Sequence, residues 1–295
     1  MELIRKRPDR PVLQHKKSGE AEYLTFELLE QTGIAEHLIS TRTGGVSSGI
    51  YATMNYSYNR GDDRKAVDEN FRRTAYILGK KPEDFVCSDQ THTVNVRKVT
   101  AEDRGKGVVI PKDYQDVDGL VTDVPGLILS TFYADCVPLL FVDPVRRAIG
   151  CSHSGWRGTV QEMGRVTIER MGEEYGCRPE NIIAAIGPSI CMDCYEVSED
   201  VIEAFQKLFS QERYKQIVGE QGKIGWQDIF YAKSNGKYQL DLWKANEAIL
   251  LGAGILPQHL AVTDVCTCCN PKVLFSHRAS QGKRGNIGAF LMLKE

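Results

Sequence analysis

The sequence predicts an α/β fold, and three observations support this. Short apolar runs typical of buried strands alternate with amphipathic stretches at helical spacing, and no internal repeat or low-complexity block interrupts them. The chain has 295 residues, 42% hydrophobic and 26% charged, which suits a globular protein with a sizeable core. We expect one domain over residues 1–295, in which residues 1–32 form an N-terminal strand region.

The helices are predicted from their caps and apolar stripes. The first follows Gly61, where Asp62 and Asp63 offer caps, and it ends at Gly79. Three more helices are predicted further along the chain; they begin near Gly158, after Ser198 and after Asp241.

The strands are predicted from short apolar or alternating runs, several of which contain mostly buried residue types. These runs cover residues 94–96, 127–132, 138–142, 148–151, 181–186, 260–265 and 287–293. Residues 210–237 are polar and irregular, so we expect a surface excursion there.

Charge and hydropathy argue against several function classes. The formal net charge is -2, so no overall basic field favours nucleic acid or an anionic membrane. No apolar run approaches the roughly 20 residues needed to cross a bilayer, and the N-terminal residues do not resemble a signal peptide. We therefore expect a cytoplasmic protein whose nine cysteines are reduced thiols or metal ligands.

Three residues are candidate metal ligands: His92, Cys136 and His153. Each is predicted to lie in a turn or at the end of a strand, where α/β folds usually place reactive groups. Two imidazoles and one thiolate match a catalytic zinc site, which typically has three protein ligands and one open position. Spacing alone favours a simpler interpretation, in which these are two loop histidines and one buried cysteine.

The residues after His153 strengthen the metal interpretation. The segment Ser154-Gly155-Trp156-Arg157-Gly158 places small residues around one large aromatic side chain and one permanent cation. Such a segment can approach a ligand closely and offer both a stacking face and an anion donor.

Five segments in a fixed order resemble a known family. They are Ser40-Thr41-Arg42-Thr43-Gly44-Gly45-Val46-Ser47, Gln90-Thr91-His92, Ala134-Asp135-Cys136, His153-Ser154-Gly155-Trp156-Arg157-Gly158 and Ile186-Gly187-Pro188-Ser189-Ile190. The combination is similar to the YfiH/YlmD-type family, long called the polyphenol-oxidase or laccase-domain family, from about Gly33 to the C-terminus.

The resemblance implies a single-domain α/β/β/α fold and a zinc ion held by His92, Cys136 and His153. It also implies phosphorolysis of adenosine, inosine and methylthioadenosine, together with adenosine deamination, so purine nucleosides and phosphate are the expected partners. Zinc sites of this kind activate water at neutral pH, which would serve deamination at C6 of adenine. The same donors would also accept copper adventitiously.

Two arginines are candidates for binding phosphate. Arg42 precedes a glycine-rich turn that would form an anion nest, although a solvated arginine beside an ordinary turn explains it equally well. Arg157 is the second candidate, and its alternative role is an ion pair with a neighbouring acid.

Other polar residues are candidates for binding the nucleoside. Asn55 and Asp62 could contact ribose hydroxyls, but turn formation and helix capping are their alternatives, and capping is favoured for Asp62. Asp135 could accept a proton or hold a metal ligand in place by hydrogen bonding. Arg278 matches one of two arginines found in many relatives, and the segment around it departs from the family pattern by placing His277 before it.

A second group of cysteines forms a weaker metal pattern. Cys191 and Cys194 have C-x-x-C spacing, and Cys266 and Cys268 have C-x-C spacing, so the four could bind a structural metal if their loops met. Because neither pair lies in a short zinc-ribbon pattern, reduced thiols are the favoured interpretation.

Three rival functions remain. A multicopper laccase needs on the order of ten imidazoles, and this chain has six histidines, so only weak oxidation by adventitious copper is expected. A metal-free cysteine hydrolase would use Cys136 as the nucleophile and His153 or His92 as the base. A non-catalytic binding protein would bind nucleosides without turnover.

Overall fold

Two six-stranded mixed β-sheets dominate the computed structural model, which describes residues 2–219 and 222–295. Helices flank the sheets, which confirms the predicted α/β class. The predicted single domain over 1–295 includes residues 1, 220 and 221, which lie outside the described part, and it stays a prediction.

The first sheet is antiparallel except at one edge. Its strands, in spatial order, are β1 (Leu13–Ser18), β2 (Ala21–Phe26), β3 (Ala35–Ser40), β15 (Ile287–Leu293), β7 (Ile128–Tyr133) and β4 (Phe85–Cys87). Strand β4 runs parallel to β7. The predicted N-terminal strand region supplies β1 and β2, which pair with each other and join the sheet through β3.

The second sheet carries most of the candidate site. Its strands, in spatial order, are β14 (Leu260–Val262), β10 (Ile183–Ile186), β8 (Val137–Asp143), β9 (Ala148–Ser154), β6 (Gly119–Thr122) and β5 (Val96–Lys98). The two edge strands run parallel to their neighbours, and the inner pairs are antiparallel.

Three apolar clusters define the layers. One lies between the sheets and joins Leu129 and Leu291 of the first sheet to Leu140 and Cys151 of the second. A second packs helices on the outer face of the second sheet, and a third packs one helix on the first sheet. Helix, sheet, sheet and helix therefore follow one another, because central strands such as β7, β8 and β9 bury apolar side chains on both faces.

The helices carry the predicted caps at Asp63 and Asp241, but Ser198 makes no capping side-chain hydrogen bond and Asp62 is not a cap residue. The helices are α1 (Glu27–Glu30), α2 (Arg64–Ile77), α3 (Trp156–Val160), α4 (Met163–Tyr175), α5 (Glu199–Phe209), α6 (Trp226–Ile229) and α7 (Leu242–Gly252). Asp63 accepts a hydrogen bond from the backbone of Lys65 at the start of α2, and Asp241 accepts one from Lys244 at the start of α7.

Several elements differ from the sequence prediction. Helix α1 and strands β3, β4 and β6 were not predicted, and the strand expected over residues 94–96 is found as β5, at Val96–Lys98. The helix expected from Gly158 to Gly176 is divided into α3 and α4, because Glu162 adopts the left-handed conformation, with φ of 60°. Residues 210–237 contain α6, strand β12 (Phe230–Ala232) and Tyr214, whose side chain is buried. Strand β12 forms a three-stranded sheet with β13 (Tyr238–Leu240) and β11 (Glu196–Val197), so this segment is more ordered than its polarity predicted.

No helix in the described ranges combines the length and apolar character needed to cross a membrane.

Candidate functional site

The structure brings together the three predicted metal ligands. One donor atom each from His92, Cys136 and His153 lies within 4.8 Å of the other two. His92 Nε2 is 3.9 Å from Cys136 Sγ, and the two imidazole rings meet edge to face with their centroids 5.0 Å apart. Two nitrogens and one sulfur therefore surround a single position.

Turns and sheet register place these side chains. Cys136 lies in the connection between β7 and β8, beside Asp135, whose φ is 88°. His92 also has a positive φ, of 67°, in the loop before β5. His153 lies inside β9, opposite Pro138, and not just past the strand as the sequence indicated. Strand β9 extends to Ser154 because it pairs with β8 along its whole length.

Asp118 organises two of the three ligands and was missed by the sequence analysis. One of its carboxylate oxygens accepts a hydrogen bond from His153 Nδ1 at 2.8 Å and one from the His92 backbone at 3.2 Å. The other oxygen accepts bonds from the Thr91 and Thr93 backbones at 3.1 and 2.9 Å. Because Nδ1 is engaged, His153 Nε2 is the nitrogen available to a metal. The signal available in the sequence was an acid directly before the short run Gly119-Leu120-Val121-Thr122, and the structure shows that this acid is fully buried.

The charges of the site favour a thiolate. Burial alone would raise the pKa of Cys136, but the adjacent His153 and His92 outweigh it and lower that pKa to about 6. Burial likewise opposes the charge on His153, but Cys136 and Asp118 raise its pKa to about 9. Burial also opposes the charge of Asp118, yet its hydrogen bonds keep its pKa below the ordinary value. Both shifts favour a thiolate paired with an imidazolium, whose proton a bound cation would displace.

A cleft of about 640 Å³ opens from the three ligands. Its wall combines aromatic rings with polar and basic side chains. The aromatic members are Tyr56, Tyr58, Phe71 and Phe132, and the basic members are Arg60, Lys112 and Arg284. A mainly polar cleft with two partly exposed rings, Tyr58 and Phe132, and excess positive charge suits a planar base linked to a polar, anionic portion.

Arg284 and Arg60 form the basic end of the cleft. Burial, reinforced by the nearby charge of Arg60, lowers the pKa of Arg284 to about 10. Among the described residues, Arg284 Nε is buried without a hydrogen-bond partner. Lys112, in contrast, donates to the Ser88 carbonyl at 3.0 Å and to the Asp89 carboxylate. Two arginines that repel each other beside an unsatisfied donor create a position for an anion.

Arg42 and Asn55, both predicted substrate contacts, lie outside the lining of this cleft. The Arg42 guanidinium donates to the carbonyls of Ala52 and Pro271, each at 2.8 Å, and lies over the Phe275 ring. Asn55 is buried and donates to Asp62 at 2.8 Å, while its oxygen accepts from the backbone of Asn286, a cleft residue, at 2.9 Å. In this geometry both side chains support loops near the cleft, and their contact with substrate stays a prediction.

Three further predicted contacts, Asp135, Arg157 and Arg278, also lie outside the lining of the cleft. The Asp135 carboxylate accepts from Thr267 Oγ1 at 2.6 Å and from the Arg278 backbone at 2.7 Å. The Arg278 side chain donates to the carbonyls of Cys194 and Glu196 at 3.1 and 3.0 Å. The exposed Arg157 guanidinium lies 4.4 Å from the Trp156 ring centre. Their substrate roles stay predictions, and the geometry gives Asp135 a positioning contact beside Cys136.

The cysteine loops also meet, although with one different member. The sulfurs of Cys191, Cys194, Cys266 and Cys269 all lie within 4.8 Å of one another. Cys269 thus takes the place that the sequence analysis gave to Cys268. Both halves of the group then have C-x-x-C spacing, in which the first and last residues of a tight turn come together.

Fold and site together define an α/β protein in which two histidines and a cysteine, a group that could hold a metal ion, open into a basic cleft with aromatic side chains. The chain belongs to the family described as multi-copper polyphenol oxidoreductase laccase, whose model matches residues 36–294. This match confirms the family resemblance in the sequence. In the described ranges, only one of the two candidate metal groups contains histidine, so they offer no multicopper cluster.

Similar proteins carry names from purine metabolism. The chain is 34% identical to Purine nucleoside phosphorylase YlmD of Bacillus subtilis strain 168 over 260 residues, which covers 87% of each protein. It is 32% identical to Adenosine deaminase RL5, from an unknown prokaryotic organism, covering 81% of this chain and 87% of that one. The crystal structure of YlmD from Geobacillus stearothermophilus superposes with a TM-score of 0.84 at 32% identity, covering 97% of this chain and 100% of that one.

Proposed function

We propose that this protein is a zinc-dependent purine nucleoside phosphorylase, acting on adenosine, inosine and methylthioadenosine, with adenosine deaminase as a second activity. The names of its relatives support the substrate class. The single observation that carries the proposal is the opening of the three-ligand position formed by His92, Cys136 and His153 into a cleft with an aromatic wall and two arginines at one end.

The donor set fits zinc. Two imidazole nitrogens and a thiolate are ligands that zinc accepts, and three protein ligands leave one position for a substrate atom or water. Asp118 holds His153 with Nε2 available, as expected of the hydrogen-bond partner of a metal-bound histidine. When bound, zinc supplies a Lewis acid that stabilises negative charge developing in the transition state.

Phosphorolysis replaces the bond between the purine nitrogen and the ribose anomeric carbon with a bond from that carbon to a phosphate oxygen. Arg284 and Arg60 would hold the phosphate, because guanidinium groups bind its oxygens through paired hydrogen bonds. Phe132 and Tyr58 would pack on the purine ring and orient it. The site would then bring phosphate and the anomeric carbon together, which removes much of the entropic cost of a two-substrate reaction.

Deamination acts on the same purine ring, with water as the second substrate. A bond forms from the water oxygen to C6, the bond to the amino nitrogen breaks, and inosine and ammonia leave. Phosphate has no part in this reaction, so the two activities differ in whether the basic end of the cleft is needed.

The test incubates purified protein with adenosine, with and without phosphate, and identifies the products chromatographically. Adenine and ribose 1-phosphate that form only with phosphate support phosphorolysis, and inosine formed in either condition supports deamination. The His153→Ala and Cys136→Ser variants should lose both activities. Chelation should abolish both activities in the natural protein, and added zinc should restore them. A folded, zinc-loaded protein that yields neither product set would refute the proposal.

A second candidate function is a metal-free cysteine hydrolase. The observation that favours it is the order of Cys136, His153 and Asp118, which matches a nucleophile, a base and an orienting acid. Chelation separates the two: a hydrolase would keep its activity without metal and lose it on alkylation of Cys136. Copper loading with a phenol substrate tests the remaining alternative, a copper-dependent phenol oxidase.

A further inference from the structure

Four cysteines gather at a place separate from the cleft. Cys191 and Cys194 follow strand β10, and Cys266 and Cys269 follow strand β14. These strands are parallel neighbours, so the loops that follow them leave the same edge of the sheet. A bridge between Ser189 and Cys266 continues this pairing into the loops. The convergence therefore results from the sheet itself and not from a chance contact of two side chains.

The distances suit one metal ion better than a disulfide or a cluster. Cys194 Sγ and Cys269 Sγ are 3.5 Å apart, and Cys191 Sγ and Cys269 Sγ are 4.0 Å apart. A tetrahedron of four zinc–sulfur bonds of about 2.3 Å has edges of about 3.8 Å, whereas a disulfide requires about 2.05 Å. An iron–sulfur cluster attaches its cysteines to different iron atoms and so spreads them further apart.

Backbone amides point at one of the sulfurs. The N–H groups of Cys191 and Cys269 donate to Cys266 Sγ, at 3.2 and 3.4 Å respectively. Such bonds stabilise negative charge on sulfur, which a metal-bound thiolate carries and a neutral thiol does not. Lys6 forms an ion pair at 2.8 Å with Asp193, which lies in the loop between Cys191 and Cys194.

The loops that carry these cysteines also hold Asp135. Thr267, between Cys266 and Cys269, donates to one oxygen of the Asp135 carboxylate at 2.6 Å. The Ile190 backbone, next to Cys191, donates to the Asp135 carbonyl at 3.0 Å. Asp135 precedes Cys136, the thiolate of the candidate catalytic site. A metal that joined the two loops would therefore also fix the backbone that presents Cys136.

We propose that Cys191, Cys194, Cys266 and Cys269 bind a second zinc ion, with four protein ligands and no open position. Its role is structural: it cross-links the loop after β10 to the loop after β14. Zinc is the ion we assign because four thiolates in a tetrahedron select zinc or iron, and zinc undergoes no redox change that would perturb a structural site.

The first experiment counts metals. Protein is purified under reducing conditions, and zinc per chain is measured by mass spectrometry. We expect two zinc ions in the natural protein, one in His153→Ala, one in Cys269→Ser and none in the double variant. Cys268→Ser is the matched control, since Cys268 adjoins Cys269 but lies outside the four-sulfur group, and it should keep both ions. Loss of an ion from Cys268→Ser but not from Cys269→Ser would overturn the assignment.

The second experiment stays informative if the cysteine variant does not fold. X-ray absorption of zinc in His153→Ala, where only the four-cysteine site is loaded, should show sulfur neighbours alone at about 2.3 Å. Nitrogen neighbours, iron in place of zinc, or a Cys194–Cys269 disulfide found by peptide mass would each overturn the proposal. In folded Cys269→Ser, amide hydrogen exchange should rise in residues 189–197 and 264–278, and unchanged exchange there would refute the structural role.

This proposal and the proposed function fail independently. Two zinc ions with no turnover of nucleosides would leave the four-cysteine site intact and remove the enzyme proposal. Nucleoside turnover by a protein with a single zinc ion would support the proposed enzyme and remove the four-cysteine zinc site.

Discussion

Replacing Asp118 with asparagine should weaken metal binding at the three-ligand site. The amide keeps the shape of the carboxylate but has only one accepting oxygen. In the native protein one carboxylate oxygen accepts from Thr91 and Thr93, and the other accepts from His153 Nδ1 and the His92 backbone. The asparagine oxygen would take the place of the carboxylate oxygen that faces Thr91 and Thr93. Three donors converge there, namely the two backbone N–H groups and the Thr93 hydroxyl. The amide nitrogen would then face His153.

The consequence is a change of tautomer. An amide nitrogen donates, so His153 Nδ1 must become an acceptor and its proton must move to Nε2, the atom that would bind the metal. Loss of a hydrogen-bond partner of this kind typically costs 10- to 100-fold in metal affinity, which equals about 1.4 to 2.8 kcal/mol. The His92 amide is also left facing a donor, which should cost about 1–3 kcal/mol of folding stability.

The assay measures zinc affinity by competition with a chromophoric chelator, and stability by denaturant unfolding of the metal-free protein. Asp116→Asn is the matched control, because it removes the same charge two residues away, where the carboxylate accepts from the Thr91 hydroxyl at 2.7 Å and from no metal ligand. Native zinc affinity in Asp118→Asn, or an equal loss in both variants, would refute the proposed orienting role.

Three other perturbations have expected outcomes. Arg284→Gln should raise the KM for phosphate about ten- to a hundredfold, because it removes a charged hydrogen bond of about 1.5–3 kcal/mol. The same variant should keep its phosphate-independent deamination, and the control variant Lys283→Gln should keep the native KM for phosphate. His37 accepts from the Phe26 backbone, and burial lowers its pKa to about 4. In the unfolded chain His37 takes up a proton near pH 6.5, so its contribution to the free energy of unfolding is intact above that pH. As the pH falls from 6.5 toward 4, that free energy should decrease by about 3 kcal/mol. The free energy of unfolding of His37→Gln should lack this part of the pH dependence. Iodoacetamide should modify Cys136 of the metal-free protein readily at pH 7, because its pKa is about 6, and zinc should protect it; slow reaction typical of an ordinary thiol would contradict the charge pairing.

Local elements could be predicted from the sequence because their signals are local. Asp63 and Asp241 cap the helices that follow them, as their positions before apolar stripes indicated. Strands β7, β8 and β9 agree with the predicted apolar runs to within a few residues. The division between α3 and α4 could not be predicted in this way. It occurs at Glu162, whose carboxylate accepts hydrogen bonds from Arg213 and Tyr214, residues far along the chain.

The candidate site was predictable only in part, for a related reason. Residues with rare chemistry, such as His92, Cys136 and His153, are few enough to be noticed, and family motifs surround them. Asp118 and Arg284 belong to common residue types and lie in no motif identified in the sequence. Their importance depends on what they face: the imidazole of a candidate metal ligand in one case, and a second arginine at the same end of the cleft in the other.

The amino-acid sequence alone determined which donors exist, where strands β7, β8 and β9 and helices α2, α5 and α7 lie, and to which family the chain belongs. Only the tertiary structure decided which donors share a position, including the choice of Cys269 over Cys268 beside Cys191. The physical reason is that a strand or helix depends on neighbours a few residues away. A site depends instead on the register between strands distant in sequence, and a shift of one residue would turn His153 to the other face of its sheet.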